Sequence, residues 1–86
     1  MNINELIVIV KSKIEAEIVM QEFKIEDKSF LHKNHKGNQE GMFHLKLIIK
    51  SEELKKLSKI ESTKKIYSIL NLELKEHIHS IQILLS

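Results

Sequence analysis

Apolar residues recur at two different periods along this chain, and the points where the period changes mark its elements. Ile3, Leu6, Ile7, Val10 and Ile14 stand at helical spacing, and Asn4 with Glu5 after it reads as a helix start. They predict a helix over about residues 4–16, although the β-branched run Val8-Ile9-Val10 would equally suit a strand. From Val19 the period becomes two. Val19, Phe23 and Ile25 share a parity with Gln21, while Glu22, Lys24 and Glu26 share the other, which predicts a half-buried strand over about residues 18–27. A second strand over about residues 42–50 is clearer, with Phe43, Leu45, Leu47 and Ile49 alternating with Met42, His44, Lys46, Ile48 and Lys50. The segment Asp27 to Gly41 between them is polar, holds both glycines of the chain and has the length of a hairpin loop. The two strands are therefore expected to pair antiparallel, with about residues 31–41 poorly ordered in the isolated protein.

Ser51-Glu52-Glu53 opens a short helix, because a serine cap followed by acidic residues suits the positive end of the helix dipole; Leu54 and Leu57 are its buried positions. A longer helix follows from about Ser62, with Ile66, Ile69, Leu70 and Leu74 as its apolar stripe and Lys64, Lys65 and Lys75 facing water. The chain closes on a strand over about residues 79–85, where His79, Ile81, Ile83 and Leu85 alternate with Ser80 and Gln82. The expected fold class is α/β in the α+β sense, order α-β-β-α-α-β, with a three-stranded mixed sheet and helices on one face. Its expected core is Phe23, Ile25, Phe43, Leu45, Leu47, Ile66, Leu70, Leu74, Ile81 and Ile83.

At 86 residues the chain is expected to form a single domain over residues 1–86. An apolar content of 42% and a near-balance of 14 basic against 12 acidic residues suit a folded, soluble chain. A formal net charge of +2 lacks the basic excess of a dedicated nucleic-acid binder. With no cysteine in the sequence, disulfides and thiol chemistry supplied by this chain are excluded. The run Leu6 to Val10 is too short to span a bilayer and lacks the flanks of a signal peptide, so no membrane association is expected and the cytoplasm is the default compartment.

The only unusual functional groups are five histidines: His32, His35, His44, His77 and His79. No glycines flank a serine as in a nucleophile elbow, and Gly37 and Gly41 do not precede a helix as a phosphate-cradling loop requires. An enzyme is not expected. His32 and His35 form an H-x-x-H pair in the glycine-containing loop, where two imidazoles could reach one zinc, iron, copper or nickel ion, although solvated loop residues are the ordinary explanation. His44 lies on the polar parity of its strand beside Lys46, which suggests a partly exposed structural residue. His77 falls at a helix end, where a cation favours the C-terminal dipole. Parity with Ile81 and Ile83 makes His79 a mostly buried histidine, unless it opens the strand at an exposed edge.

The segment Asp27-Lys28-Ser29-Phe30-Leu31-His32-Lys33-Asn34-His35-Lys36-Gly37 resembles the D-E-S-x-x-H-x-x-H-x-G loop of the BolA family. His44-Leu45-Lys46-Leu47-Ile48-Ile49-Lys50-Ser51 is similar to that family's H-F-x-V-x-x-V-S strand. Ile66-Tyr67-Ser68, Leu70, Glu73-Leu74 and Ile78-His79-Ser80-Ile81 resemble its I-Y-x-x-L-x-x-E-L-x-x-x-[IV]-H-A-[IL] ending. The resemblance runs from about Ile14 to Leu85. It implies a fold related to the class II KH domain, and an adaptor that pairs with a monothiol glutaredoxin and shares a bridging [2Fe-2S] cluster, in cluster trafficking or iron signalling. The family's invariant C-terminal histidine falls on His79, and its loop ligand on His32, with His35 as the near alternative. The thiolates would come from the glutaredoxin cysteine and glutathione, so no cluster is expected on this chain alone, which is expected to be monomeric. Imidazole ligation of such a cluster has a parallel in Rieske centres, where two histidines replace two cysteines on one iron. The family's R-H-R signature falls on Ser62-Thr63-Lys64, which keeps one basic residue, and its extension after the last strand has no counterpart here.

The alternative is a KH-like, nucleic-acid-binding transcriptional regulator. KH domains clamp the nucleic-acid backbone with a G-x-x-G loop between helices. Here the link reads Ser58-Lys59-Ile60-Glu61, and the candidate contacts are the lysines of a local basic cluster: Lys55, Lys56, Lys59, Lys64 and Lys65. Any such binding is expected to be weak.

Overall fold

In the computed structural model, which describes residues 1–29 and 42–86, the first helix is capped by Asn2 rather than Asn4. The expectations about residues 31–41, including His32 and His35, fall outside the described residues. Asn2 Oδ1 accepts from the Glu5 backbone N–H at 2.8 Å, and helix α1 runs Ile3–Glu17. The β-branched run belongs to this helix because the 3.6-residue period buries Leu6, Val10 and Ile14 along one stripe, while Val8 points to water. Ile18 ends α1 in an extended conformation and is buried, but Val19 is 67% exposed. The first strand therefore starts later than its alternation suggested, as β1 over Glu22–Asp27, and Val19 is part of the connection rather than the core.

Strand β2 spans Phe43–Lys50 and pairs antiparallel with β1, Phe23 facing Ile49 and Ile25 facing Leu47. Ser51 then closes the strand and opens helix α2, Glu52–Lys55. Its hydroxyl accepts from the Leu54 N–H at 3.2 Å and donates to the Val19 carbonyl at 2.7 Å, so one buried side chain caps a helix and ties it to the α1–β1 connection. Helix α3, Lys59–Ile69, starts three residues before the expected Ser62 because Ser58 and Glu61 form a capping box. The Ser58 hydroxyl accepts from the Glu61 N–H, and the Glu61 carboxylate from the Ser58 N–H, each at 3.1 Å. Ser62 becomes a buried residue whose hydroxyl donates to the Leu54 carbonyl at 3.1 Å.

The single long helix expected from Ser62 is two. Leu70, with φ −98° and ψ 18°, interrupts it, and helix α4 runs Asn71–Glu76. Neither glycine nor proline marks the break; Leu70 itself is fully buried, and the turn redirects the chain into strand β3, Ile78–Leu85. β3 pairs parallel with β2, giving a sheet in the order β1-β2-β3. The helices cover the face that carries Leu45, Leu47 and Ile49. These three pack with Leu6, Val10, Ile14, Ile66, Leu70 and Ile78 in the core, and Phe23, Ile25, Phe43, Leu74, Ile81 and Ile83 lie half-buried at its margin. The expected core is therefore present, with α1, Ile18 and Ile78 added to it. Among the described residues no helix is long and apolar enough to cross a membrane.

The capping box has a pH signature. Hydrogen bonds from the Ser58 backbone first, and from its side chain second, hold the Glu61 carboxyl below the ordinary value of 4.5. A depressed folded-state pKa stabilises above the unfolded value and is lost as pH falls through the folded one. The thermal midpoint of the native protein is therefore expected to fall slightly more steeply below pH 4.5 than that of Glu61→Gln, which has no carboxylate to protonate. Identical pH profiles for the two proteins would exclude a contribution from this cap.

Candidate histidine site at the start of the parallel strand pair

A break in register between β2 and β3 builds the site. Phe43 faces Ile78, yet the next residue, His44, faces Ser80, so His79 has no residue opposite it. An extra residue in one strand disrupts the ladder locally and re-aims side chains. Without it, Ile78 and Ile81, three positions apart, would point to opposite faces of the sheet. With it, both turn to the helical face, Ile78 buried and Ile81 half-buried, and His79 is released to solvent. The burial that parity predicted for His79 is thus corrected by the bulge. Two apolar residues of opposite parity at a strand start, Ile78 and Ile81, were the sequence signal for it.

His44 departs from expectation in the other direction. It lies on the sheet face away from the helices, but only 5% of its surface is exposed. Its ring stands 5.0 Å from that of His79, centroid to centroid, at an interplanar angle of 42°. Its Nδ1 lies 2.6 Å from the Ser80 hydroxyl, an interaction in which either partner can donate according to the tautomer. The same strand register that puts His44 opposite Ser80 therefore sets a buried imidazole beside the exposed one.

The backbone here is fixed from three sides. The Phe43 N–H donates to the His77 carbonyl at 2.9 Å, which joins the start of β2 to the end of α4. The Lys28 N–H donates to the His44 carbonyl at 2.7 Å, and the His44 N–H to the Ser29 hydroxyl at 3.1 Å. Ser29 is in turn held by its own N–H on Asp27 Oδ1 at 2.9 Å. The D-x-S portion of the loop motif is thus an anchor that fixes the chain entering residues 30–41 against the start of β2, close to His79. Ser29, Ser80 and His44 are the residues sequence reasoning did not assign to the site. His77 caps the end of α4 as expected, half-buried, with Nε2 3.9 Å from the Glu76 carboxylate.

Among the described residues no group of three or more histidine and acidic side chains could hold a metal ion. The donor set is instead that of a contributor. His79 offers an accessible imidazole, the chain has no thiolate, and further ligands would have to come from residues 30–41 or from another molecule.

The basic cluster is smaller in the structure than in the sequence. Lys55 pairs with Glu52 at 3.6 Å and Lys65 with Glu53 at 3.5 Å. Lys56, Lys59 and Lys64 remain exposed without an ion pair among the described residues.

Comparison with known proteins agrees with this architecture. The BolA domain of SufE1 from Arabidopsis thaliana superposes with a TM-score of 0.77 at 27% identity, covering 100% of this chain and 93% of that domain. BolA1 from the same plant gives 0.76 at 25% identity, covering 90% and 85%. A protein of Haemophilus influenzae described as DNA-binding transcriptional regulator BolA is 33% identical over 73 residues, 85% of this chain and 68% of its own length. Residues 14–86 match the BolA-like protein family as a whole, and they contain the bulged strand, its exposed histidine and the Asp27–Ser29 anchor: the chain belongs to the BolA-like family.

Proposed function

We propose that this chain is a non-catalytic adaptor that pairs with a monothiol glutaredoxin and contributes imidazole ligation to a [2Fe-2S] cluster shared with that protein and glutathione, in cluster trafficking or iron signalling. The observation that carries it is the bulge that lifts His79 off the core face and leaves it in solvent at the start of β3. A protein that needed this histidine only for packing would keep the pleat regular. His79 would be the fixed ligand, since its backbone lies in a strand, and His32 or His35 the ligand brought by the loop. Neutral imidazoles in place of thiolates raise the potential of such a cluster. The same reading places the protein in the cytoplasm, as a monomer until it meets its partner. It is tested by titrating the protein into glutaredoxin carrying a reconstituted cluster. The visible circular dichroism is expected to change and to saturate at equimolar protein; an unchanged spectrum would remove the proposal.

The Haemophilus influenzae relative, described as a DNA-binding transcriptional regulator, supports a second reading, DNA binding, for which Lys56, Lys59 and Lys64 are the available contacts. Three unpaired lysines and a net charge of +2 supply little electrostatic affinity. Binding is therefore expected to be weak and non-specific, with Kd on the order of 10⁻⁴–10⁻⁶ M at about 150 mM salt. Tight binding to one defined sequence in a fluorescence-anisotropy titration at that salt would put the second reading first.

A further inference from the structure

The two outer strands of the sheet are protected very differently. β1 carries Glu22, Lys24, Glu26 and Asp27 among its six residues. β3, the opposite edge, reads Ile-His-Ser-Ile-Gln-Ile-Leu-Leu and has no acidic residue, lysine or proline in eight. Proteins blunt open edges with charges, prolines and bulges, because a bare row of backbone donors and acceptors is a template for another strand. Here the bulge guards only the first residues of β3, and no strand lies beyond it among the described residues.

Beside the unguarded half of that edge is a cavity of 370 Å³, where the α2–α3 turn stands over the end of β3. Leu54, Leu57, Ile83 and Leu85 give it an apolar wall, and Lys59 stands at its rim without an ion pair among the described residues. Two of the three serines that line it have their hydroxyl hydrogens engaged: Ser51 donates to the Val19 carbonyl and Ser62 to the Leu54 carbonyl. The register places this groove opposite Ile49, at the other end of the sheet from His79. Six residues of extended strand separate Leu85 from His79, about 20 Å.

We propose that the outer edge of β3 and this groove bind an extended segment of a partner protein, which adds a fourth strand to the sheet, seats an apolar side chain against Leu54, Leu57, Ile83 and Leu85, and sets a carboxylate on Lys59. Strand addition supplies affinity through main-chain hydrogen bonds, and the adjacent pocket supplies selectivity. A single-stranded nucleic acid fits less well, since it cannot complete a β ladder along the open edge of β3. A second copy of this chain would meet the edge but leave Lys59 without an acid, because β3 has none to offer.

The test uses the intact protein with no cluster or glutaredoxin present, so its outcome is independent of the proposed function. Random dodecapeptides displayed on phage are selected against it, and enriched peptides are titrated by ¹H–¹⁵N correlation spectroscopy. The expected result is a family of alternating β-branched or apolar residues with one acid. These peptides should shift the amides of Ile83, Leu84 and Leu85, and bind about tenfold more weakly to Lys59→Glu, an exposed substitution at the first turn of α3 that leaves the fold intact. Four outcomes would overturn the proposal: no enriched family; enriched peptides that shift amides elsewhere; oligothymidylate shifting the β3 amides more tightly than any peptide; or the same amides shifting with protein concentration alone, which would assign the edge to a second copy.

Discussion

His79→Ala is expected to abolish the spectrum of the cluster shared with glutaredoxin while changing the stability of the isolated protein by no more than about 0.5 kcal/mol, the usual range for a surface substitution. The residue is exposed, has no residue opposite it in the ladder, and its ring lies 5.0 Å from that of His44, centroid to centroid. Loss of a buried, hydrogen-bonded histidine would instead cost about 1–3 kcal/mol, a visible fraction of the stability of a domain this small. Thermal melts and visible circular dichroism on the same variant therefore separate ligand from packing residue. His32→Ala and His35→Ala are each expected to weaken the spectrum partly, since one loop imidazole can take the other's place. Ser80→Ala should show the inverse of His79→Ala. It leaves the buried His44 Nδ1 without the hydroxyl at 2.6 Å, so it should lower the melting point and spare most of the cluster signal. A His79→Ala protein that melts early and keeps the full spectrum would make His79 structural.

The order of elements and the sheet were legible because period two and period 3.6 leave different residues apolar, and both strands flanking the loop alternate over most of their length. Phe23, Ile25, Leu45, Leu47 and Ile49 all face the helices as their parity required. Two kinds of feature stayed illegible: local caps that prevail over a neighbouring candidate, as Asn2 does over Asn4 and the Ser58–Glu61 box over Ser62, and features set by a contact distant in sequence. The cap at Ser51 was legible but its second bond, to the Val19 carbonyl, was not, and Leu70 interrupts a helix with no glycine or proline to announce it. His44 looks like a solvent-side residue of its strand until β3 brings Ser80 and His79 against it. Motif resemblance singled out His79, and its exposure comes from a bulge that defeats the parity argument. Period counting assumes an uninterrupted pleat, so it fails where one extra residue shifts the register.

Lys13→Met is expected to destabilise the protein by about 1–3 kcal/mol at neutral pH, a larger effect than any surface ion pair here should give. Lys13 on α1 and Glu73 on α4 are 60 residues apart in sequence and meet at 2.6 Å. Glu73 is only 4% exposed, and its second oxygen, Oε1, is buried with no hydrogen-bond partner among the described residues. The lysine is thus the main compensation for a carboxylate held away from water. Removing one partner of a fully buried pair costs about 3–5 kcal/mol, and the 39% exposure of the Lys13 side chain reduces that figure, since water can reach the site once the ammonium is gone. Glu73→Gln should cost less, because it removes the buried charge and leaves the lysine, which is free to turn to solvent. The double variant Lys13→Met with Glu73→Leu should regain most of the loss, since apolar side chains of similar volume commonly replace buried ion pairs without penalty. Urea unfolding of the native protein, Lys13→Met, Glu73→Leu and their double variant forms a double-mutant cycle, and a coupling energy above about 0.5 kcal/mol is expected for groups in contact. Coupling below that value, with Lys13→Met as stable as the native protein, would mean that α1 and α4 are held by Leu6, Val10, Ile14 and Leu70 alone and that the pair is incidental. A positive result has a consequence for the histidine site: α4 leads directly through His77 into the bulged start of β3, so the ion pair fixes the element that delivers His79.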